Sequence, residues 1–129
     1  MTRMVSDVLY FQVAIVPIVN ELGVSDEDKE AIYRALGFKD AIDFLKKAKR
    51  YEKWGESAWY AEGKDGLILI EGHLIETWVR DYGDWKEYER ALTFFSVVIT
   101  KELFEEAERN PILAIRLAKE KLKERESHG

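Results

Sequence analysis

The chain has 129 residues, no cysteine and a formal net charge of −5. The length fits a single globular domain over residues 1–129, since domains commonly contain about 100–150 residues. The lack of cysteine excludes disulfides, thiolate metal ligands and thiol catalysis, and the negative charge disfavours nonspecific binding to nucleic acids and anionic membranes. Glu and Lys are abundant while Asn and Gln are sparse, which predicts a thermophilic source.

The first predicted element runs from Val5 to Leu22 and includes the apolar stretch VLYFQVAIVPIV. We predict a largely buried helix that ends at Gly23, with a kink or an early end at Pro17. The β-branched residues leave a strand open as an alternative for Val13 to Val16. At about 1.5 Å per residue the stretch is too short to cross a hydrocarbon core of about 30 Å, and its flanks are unlike those of a signal peptide. We therefore expect a cytoplasmic protein that does not contact membranes.

Two short helices are predicted next. In SDEDKEAIYRALG, Ser25 is suited to cap the first of them and Gly37 to end it. In KDAIDFLKKAKRYEKWG, Asp40 can cap the second helix, which should end near Gly55. The expected inward positions are Ile32, Ala35 and Leu36 in the first helix and Ala41, Phe44, Leu45, Ala48 and Tyr51 in the second.

A small hairpin is predicted in the middle of the chain. Asp65-Gly66 separates two apolar runs, which indicates strands near Ser57 to Glu62 and Leu67 to Glu71. A third strand or a short helix should continue through Val79.

The remainder of the chain is predicted to be helical. Asp84 and Glu87 form a variant of the capping box and should open the longest helix, on which Glu89, Thr93, Ser96 and Thr100 form a polar stripe. Asn110 and Pro111 should cap and open a last helix, with Ile112, Ile115 and Leu122 on its apolar side. The predicted fold class is α+β and predominantly α, with about five helices packed with a small central antiparallel β-hairpin.

The only internal histidine lies between two glutamates in EGHLIE. If this segment is an extended strand, Glu71 and His73 share one face. If a helix begins near His73 instead, Glu76 lies one turn away from His73. Either geometry lets a carboxylate orient the imidazole, as in general bases and metal sites. Zinc would lack ligands, but Mg²⁺ or Mn²⁺ held by Glu71, Glu76, Asp81 or Asp84 is an alternative. The favoured interpretation is a structural or exposed histidine, and no cofactor or catalytic residue is predicted.

A basic stripe is the second candidate site. On the second of the short helices one side is predicted to carry Lys39, Lys46, Arg50 and Lys53. Tyr51 and Trp54 lie nearby, and basic side chains beside aromatic ones can contact phosphates and stack on bases. The favoured interpretation is the solvated side of an amphipathic helix, and nucleic-acid binding is the alternative.

The four tryptophans, at positions 54, 59, 78 and 85, all lie in the central segment. Tryptophan is enriched both in cores and at the centres of protein interfaces. A short hairpin is marginally stable alone and must lie against helices or a second copy of the chain. We therefore predict a non-enzymatic interaction protein, a homodimer or a subunit of a larger assembly, with Trp59, Trp78 and Trp85 near the contact. The alternatives are a nucleic-acid-associated factor and a small ligand- or metal-binding protein centred on His73.

Overall fold

The computed structural model describes residues 7–16 and 26–128 of the chain. Its strands are β1 (Val8–Val16), β2 (Lys49–Lys53), β3 (Glu56–Glu62), β4 (Ile68–Asp81) and β5 (Lys86–Ile99). Its helices are α1 (Asp26–Ala35), α2 (Ala41–Lys47), α3 (Lys101–Glu106) and α4 (Pro111–His128). The strands form one antiparallel sheet in the order β1-β5-β4-β3-β2, so β1 and β2 lie at its edges.

The sheet is a larger part of the fold than the sequence analysis predicts. Of the described residues, 44% lie in strands and 37% in helices, so the prediction of a predominantly helical fold with a small hairpin is wrong. The description of the protein as helical is wrong for the same reason. β-Branched and aromatic residues are frequent in β1 and β5, and such residues favour strands where neighbouring strands are available for pairing.

The predicted first helix is replaced by the edge strand β1. Its residues pair with β5 from Val8↔Ile99 to Val16↔Leu92, with an irregularity in the register between Val8 and Tyr10. The strand alternative for Val13 to Val16 is therefore the one that the structure contains, and it begins earlier than expected. The predicted kink at Pro17, the end at Gly23 and the cap at Ser25 lie outside the described residues.

The predicted longest helix is also wrong, because residues 86–99 form strand β5. Asp84 does not cap a helix but lies in the turn between β4 and β5, and the predicted polar stripe is divided between two faces of the sheet. The short helix α3 follows β5 directly, and Thr100 caps it by accepting a hydrogen bond of 3.2 Å from the backbone N–H of Leu103. Helices lie on both faces of the sheet at the second half of β5, where residues 94–99 are mainly apolar on both sides and lack the alternation that marks a half-exposed strand.

Several local predictions are confirmed. Helices α1 and α4 and strand β3 form where the sequence indicates them. Asp40 caps α2 by accepting a 2.8 Å hydrogen bond from the N–H of Asp43, and Asn110 caps α4 by accepting one of 3.0 Å from Ile112. Asp65 lies in the turn between β3 and β4. However, α2 ends at Lys47, and residues 49–53 form the edge strand β2 instead of continuing the helix towards Gly55.

Each face of the sheet has its own apolar cluster. Helices α3 and α4 cover one face, where Ile70 and Val97 pack with Phe104 and Ile115. We call this the α4 face. Helices α1 and α2 cover part of the opposite face, the α1 face, where the packed residues include Tyr33, Phe44, Leu69 and Val98. No helix in the described part of the chain is long and apolar enough to span a bilayer.

Candidate functional site

Glu71 lies on the α1 face, where it joins the sheet to α1. The hydroxyl of Tyr33 donates to the Glu71 carboxylate, at 2.9 Å from either oxygen, and the Ser96 hydroxyl donates to the same carboxylate at 3.3 Å. Only 4% of Tyr33 is exposed. Burial, the nearby negative charge of Glu71 and the hydrogen bond together raise the pKa of Tyr33 above its ordinary value. The carboxylate therefore already has two donors, one from a helix and one from a strand.

We expect the replacement Tyr33→Phe to destabilise the fold by about 1–3 kcal/mol at neutral pH, because Glu71 loses a donor. The unfolded chain ionises this tyrosine near pH 10, whereas the folded chain keeps it neutral to higher pH. The wild type therefore loses stability as the pH rises above about 10, and the difference between wild type and variant should shrink there. Urea unfolding at neutral and alkaline pH measures this difference. The hydrogen bond from Tyr33 to Glu71 would be contradicted if the difference in unfolding free energy between wild type and Tyr33→Phe stayed the same above pH 10. An equal loss of stability in Tyr88→Phe, at an exposed tyrosine, would also contradict it.

His73 shares the α1 face with Glu71, as the extended alternative predicts, but it contacts residues other than Glu71. Its Nε2 lies 3.2 Å from the carbonyl oxygen of Gly55 and must donate to it. Both ring nitrogens lie 3.4 Å from the Ser57 hydroxyl, and the ring is 5.4 Å from that of Phe94. Ser57 is only 3% exposed, and no spacing in the sequence links it to His73. The imidazole thus ties β4 to the turn between β2 and β3.

Glu76 lies on the opposite face from Glu71 and His73. Residues alternate between the faces along β4, and Glu76 forms an ion pair with Lys119 of α4. The three residues of the candidate ligand site are therefore divided between two faces. Among the side chains that the structure describes, no group of three or more His, Asp or Glu could hold a metal ion.

The candidate basic stripe is not assembled on one helix. Lys39 precedes α2 and Lys46 lies within it, whereas Arg50 and Lys53 belong to β2. Arg50 forms a 3.4 Å ion pair with Glu52, and its guanidinium lies 5.1 Å from the centre of a tryptophan ring. The four cations are exposed, but they do not share a helical side.

The tryptophans lie in three different environments. Trp59 is half-buried on the α1 face, and its ring is the one that the Arg50 guanidinium contacts. Trp54 is 84% exposed in the turn between β2 and β3, with a left-handed φ of +56°. Trp78 and Trp85 are exposed on or next to the β4–β5 hairpin. Trp59 of β3 lies opposite Glu71 of β4. Trp78 is further along β4, about 24 Å from Glu71 at about 3.4 Å per residue. The predicted interface residues therefore do not form one patch.

Within the described residues, the β4–β5 hairpin extends beyond its neighbours in the sheet. Strand β3 pairs with β4 as far as His73, and the described part of β1, which ends at Val16, pairs with β5 as far as Leu92. The hairpin continues through six more residue pairs, from Glu76↔Ala91 to Asp81↔Lys86, with no third strand beside them among the described residues. We call residues 76–91 the arm. At about 3.4 Å per residue the paired part is about 20 Å long.

The arm carries aromatic side chains on both of its faces. Every residue from Thr77 to Arg90 is exposed. Trp78 shares a face with Glu76, the α4 face, whereas Val79 and Tyr88 form a cross-strand pair on the other. The exposed fractions reach 57% for Trp85 and 67% for Tyr88. The remaining positions are mainly charged, and Arg80 forms a 3.5 Å ion pair with Glu89.

Local contacts join the residues at the tip of the arm. The N–H of Tyr82 donates to the carbonyl oxygen of Trp85 at 3.0 Å, which closes a two-residue turn. Gly83 has a φ of +93°, which suits the first central position of a type II′ hairpin turn. The rings of Tyr82 and Trp85 stack with centroids 4.4 Å apart, and the N–H of Gly83 donates to Asp81 at 2.9 Å. The tip therefore presents a fixed aromatic pair.

A shallow concavity of about 380 Å³ lies at the base of the arm. Its lining is mostly apolar, formed by Ile75, Ala91 and Leu92, with Arg90 at its edge. A surface of this kind can accept an aromatic ring and can add a cation–π contact from the guanidinium. Any role for the arm must be inferred from these features, since the chain matches no protein-family model, no curated protein and no solved structure.

Proposed function

We propose that the protein is a non-enzymatic interaction protein that forms a homodimer through its arm. The observation that carries the proposal is the exposure of Trp78, Trp85 and Tyr88 on a ribbon that no third described strand supports. A two-stranded hairpin is marginally stable in water, and large aromatic side chains are the residues that most often dominate binding energy. A partner that covers the arm would stabilise both its backbone and its side chains.

A second copy of the chain fits the arm for two reasons. The first is charge: the arm carries both signs, as in the cross-strand pairs Arg80↔Glu87 and Asp81↔Lys86, so two arms can approach despite the net charge of −5. The second is shape: in a two-fold contact each copy presents the same surface, so each arm offers aromatic rings and also the apolar concavity at its base. Tyr88 lies on the same face as Leu92 of that concavity.

The double replacement Trp85→Ser with Tyr88→Ser tests the proposal. Tyr88 lies on the α1 face, whereas Trp85 stacks on Tyr82, whose hydroxyl donates to Glu87 on the other face of the hairpin. The variant therefore removes an aromatic side chain from either face. Both residues are more than half exposed, so the monomer fold should persist. We expect the dimer to dissociate at least about 30-fold more readily, because one interface aromatic contributes about 2 kcal/mol or more. Sedimentation velocity over a series of protein concentrations measures this change.

Trp54→Asn is the matched control for the arm variant. Trp54 is even more exposed than the arm aromatics but lies in another turn, and asparagine tolerates its left-handed backbone. The control should associate like the wild type. An arm variant that sediments like the wild type, or a wild type that stays monomeric at all concentrations, would overturn the proposal.

A further inference from the structure

A tryptophan occupies an unfavourable position in the turn between β2 and β3. Lys53 and Glu56 form the last pair of the two strands, so Trp54 and Gly55 make a two-residue turn. Both turn residues have left-handed backbones, with φ values of +56° and +79°. Such a turn favours Asn-Gly, because asparagine and glycine adopt this backbone with less strain than residues with larger side chains. Trp54 therefore weakens the turn relative to asparagine.

The side chain of Trp54 contributes little to the core. It is 84% exposed and belongs to neither of the two apolar clusters in the described part of the chain. Non-glycine residues that are held in strained backbone conformations are concentrated at binding and active sites. The exposed face of an indole ring is also a surface on which another flat ring can stack. Both observations indicate a role in binding and not in stability.

Trp54 borders a concavity of about 240 Å³ between this turn and the beginning of α4. The apolar part of its lining consists of the Trp54 ring with Ile112 and Leu113 of α4. Pockets that bind drug-sized ligands commonly measure about 300–1,000 Å³, so this smaller concavity suits a ligand with one or two rings.

Two cationic side chains line the same concavity. Lys53 is exposed and forms no ion pair among the described residues. Arg116 forms a 2.6 Å ion pair with Glu56, whose carboxylate also accepts a 2.9 Å hydrogen bond from the N–H of Ile75. Glu56 thus holds the guanidinium in place but engages only one of its nitrogens, and a guanidinium has five N–H donors. Lys53 and Arg116 against Glu56 leave one net positive charge, which suits a ligand with a single negative charge.

Tyr51 adds a hydrogen-bond donor to the lining. The side-chain oxygen of Asn110 accepts from the N–H groups of Ile112 at 3.0 Å and Leu113 at 3.2 Å. The other end of the amide is therefore the nitrogen, and it donates to the hydroxyl oxygen of Tyr51 at 3.3 Å. The hydroxyl proton of Tyr51 is donated to no described acceptor, so it is available to a ligand in the concavity that Tyr51 and Asn110 line.

We propose that this concavity binds a small aromatic carboxylate. The ring of the ligand stacks on Trp54 and contacts Leu113. The carboxylate accepts hydrogen bonds from the guanidinium of Arg116, whose planar fork matches it, and from Lys53 and the Tyr51 hydroxyl. The site is separate from the arm, so ligand binding and association of the chain can be tested independently.

Three probes test whether the site requires both a ring and a negative charge. Indole-3-acetate has both, indole-3-acetamide lacks the charge, and acetate lacks the ring. We expect a Kd of about 1 mM or tighter for indole-3-acetate, which is usual for a ligand of this size, and at least about tenfold weaker binding of the other two. Titration of ¹⁵N-labelled protein followed by NMR measures this, with the indole N–H signal of Trp54 identified by its loss in Trp54→Asn.

The replacement Trp54→Asn separates binding from stability. It should weaken binding of indole-3-acetate at least about fivefold, because the stacking surface is lost. Its melting temperature should equal or exceed that of the wild type, because asparagine suits the left-handed turn. A tryptophan that served only the fold would give the opposite pattern.

Lys53→Gln tests the recognition of the negative charge. The variant should bind indole-3-acetate less tightly but indole-3-acetamide as the wild type does. Lys49→Gln is the matched control, because Lys49 lies on the same strand and the same face but outside this concavity. It should bind both probes like the wild type, since at physiological ionic strength charges more than about 8 Å apart are largely screened.

Three results would overturn the inference: equal affinities for indole-3-acetate and its amide, unchanged binding in Trp54→Asn, or no binding of indole-3-acetate at roughly tenfold above the expected Kd. The arm variant Trp85→Ser with Tyr88→Ser should bind indole-3-acetate like the wild type, because neither residue lines the concavity. Weaker binding in that variant would contradict a site separate from the arm.

Discussion

Replacing Phe44 with alanine will lower the free energy of unfolding by about 3–5 kcal/mol. The side chain of Phe44 is fully buried between α2 and the sheet. Its ring lies 5.7 Å from that of Tyr33 and 5.4 Å from that of Phe38, between centroids. The substitution therefore leaves a cavity where α1, α2 and the sheet meet. The loss is large compared with the total stability of about 5–15 kcal/mol that is usual for a domain.

Urea unfolding followed by circular dichroism measures the effect of Phe44→Ala. Ile42→Ala is the matched control, because Ile42 lies in the same helix with 64% of its side chain exposed. The control should change the free energy of unfolding by less than about 0.5 kcal/mol, apart from the small gain in helix propensity. Similar losses in the two variants would mean that α2 does not pack on the α1 face as described.

The second large effect is expected for Gly72→Ala. Gly72 pairs with Ala58 in β3, and a Cβ atom at Gly72 would lie 2.4 Å from the carbonyl oxygen of Ser57 and 2.9 Å from the Cα atom of Ala58. Backbone atoms cannot move aside as a flexible side chain can, so β3 and β4 would have to separate. We expect a loss of about 3 kcal/mol or more in the free energy of unfolding, at the upper end of the range for overpacked cores.

Gly83→Ala is the control that distinguishes a steric clash of the new Cβ atom from strain in the backbone conformation. A Cβ atom at Gly83 would meet nothing within 4 Å, but the φ of +93° is one that alanine adopts with strain. This control should therefore lose about 1 kcal/mol, clearly less than Gly72→Ala. Thermal unfolding of the two variants in the same buffer gives the comparison. A larger loss at Gly83 than at Gly72 would contradict the close approach of β3 and β4.

The parts of the fold that the sequence predicts correctly depend on short-range signals. Asp40 caps α2, Asn110 caps α4, and Asp65 lies in a turn, because each acts on backbone groups only a few residues away. The two large errors concern β1 and the second half of β5, residues 94–99, which are mainly apolar on both sides. Since both faces of the sheet are covered, these strands show no period of two, and an apolar run of this kind cannot be told from a buried helix by periodicity.

The arrangement of the candidate residues is predicted only in part. Alternation along an extended strand correctly places Glu71 and His73 on one face and therefore separates Glu76 from them. The partners Tyr33 and Ser57 are distant in sequence, and nothing in their local patterns indicates the contacts. The extent of the arm depends on where β3 and the described part of β1 stop pairing, and the hairpin's own residues do not indicate this.

Hydrogen exchange of the wild-type protein at several protein concentrations is the most direct test that the arm is covered by a second copy. An isolated ribbon opens readily, so its amides exchange fast in the monomer. If a second copy covers the arm, amides in residues 76–91 exchange more slowly as the protein concentration rises, whereas the exchange rates at the exposed turn of Trp54 and Gly55 do not change. Arm amides that exchange at the same rate at every concentration, in a sample that remains folded, would contradict it.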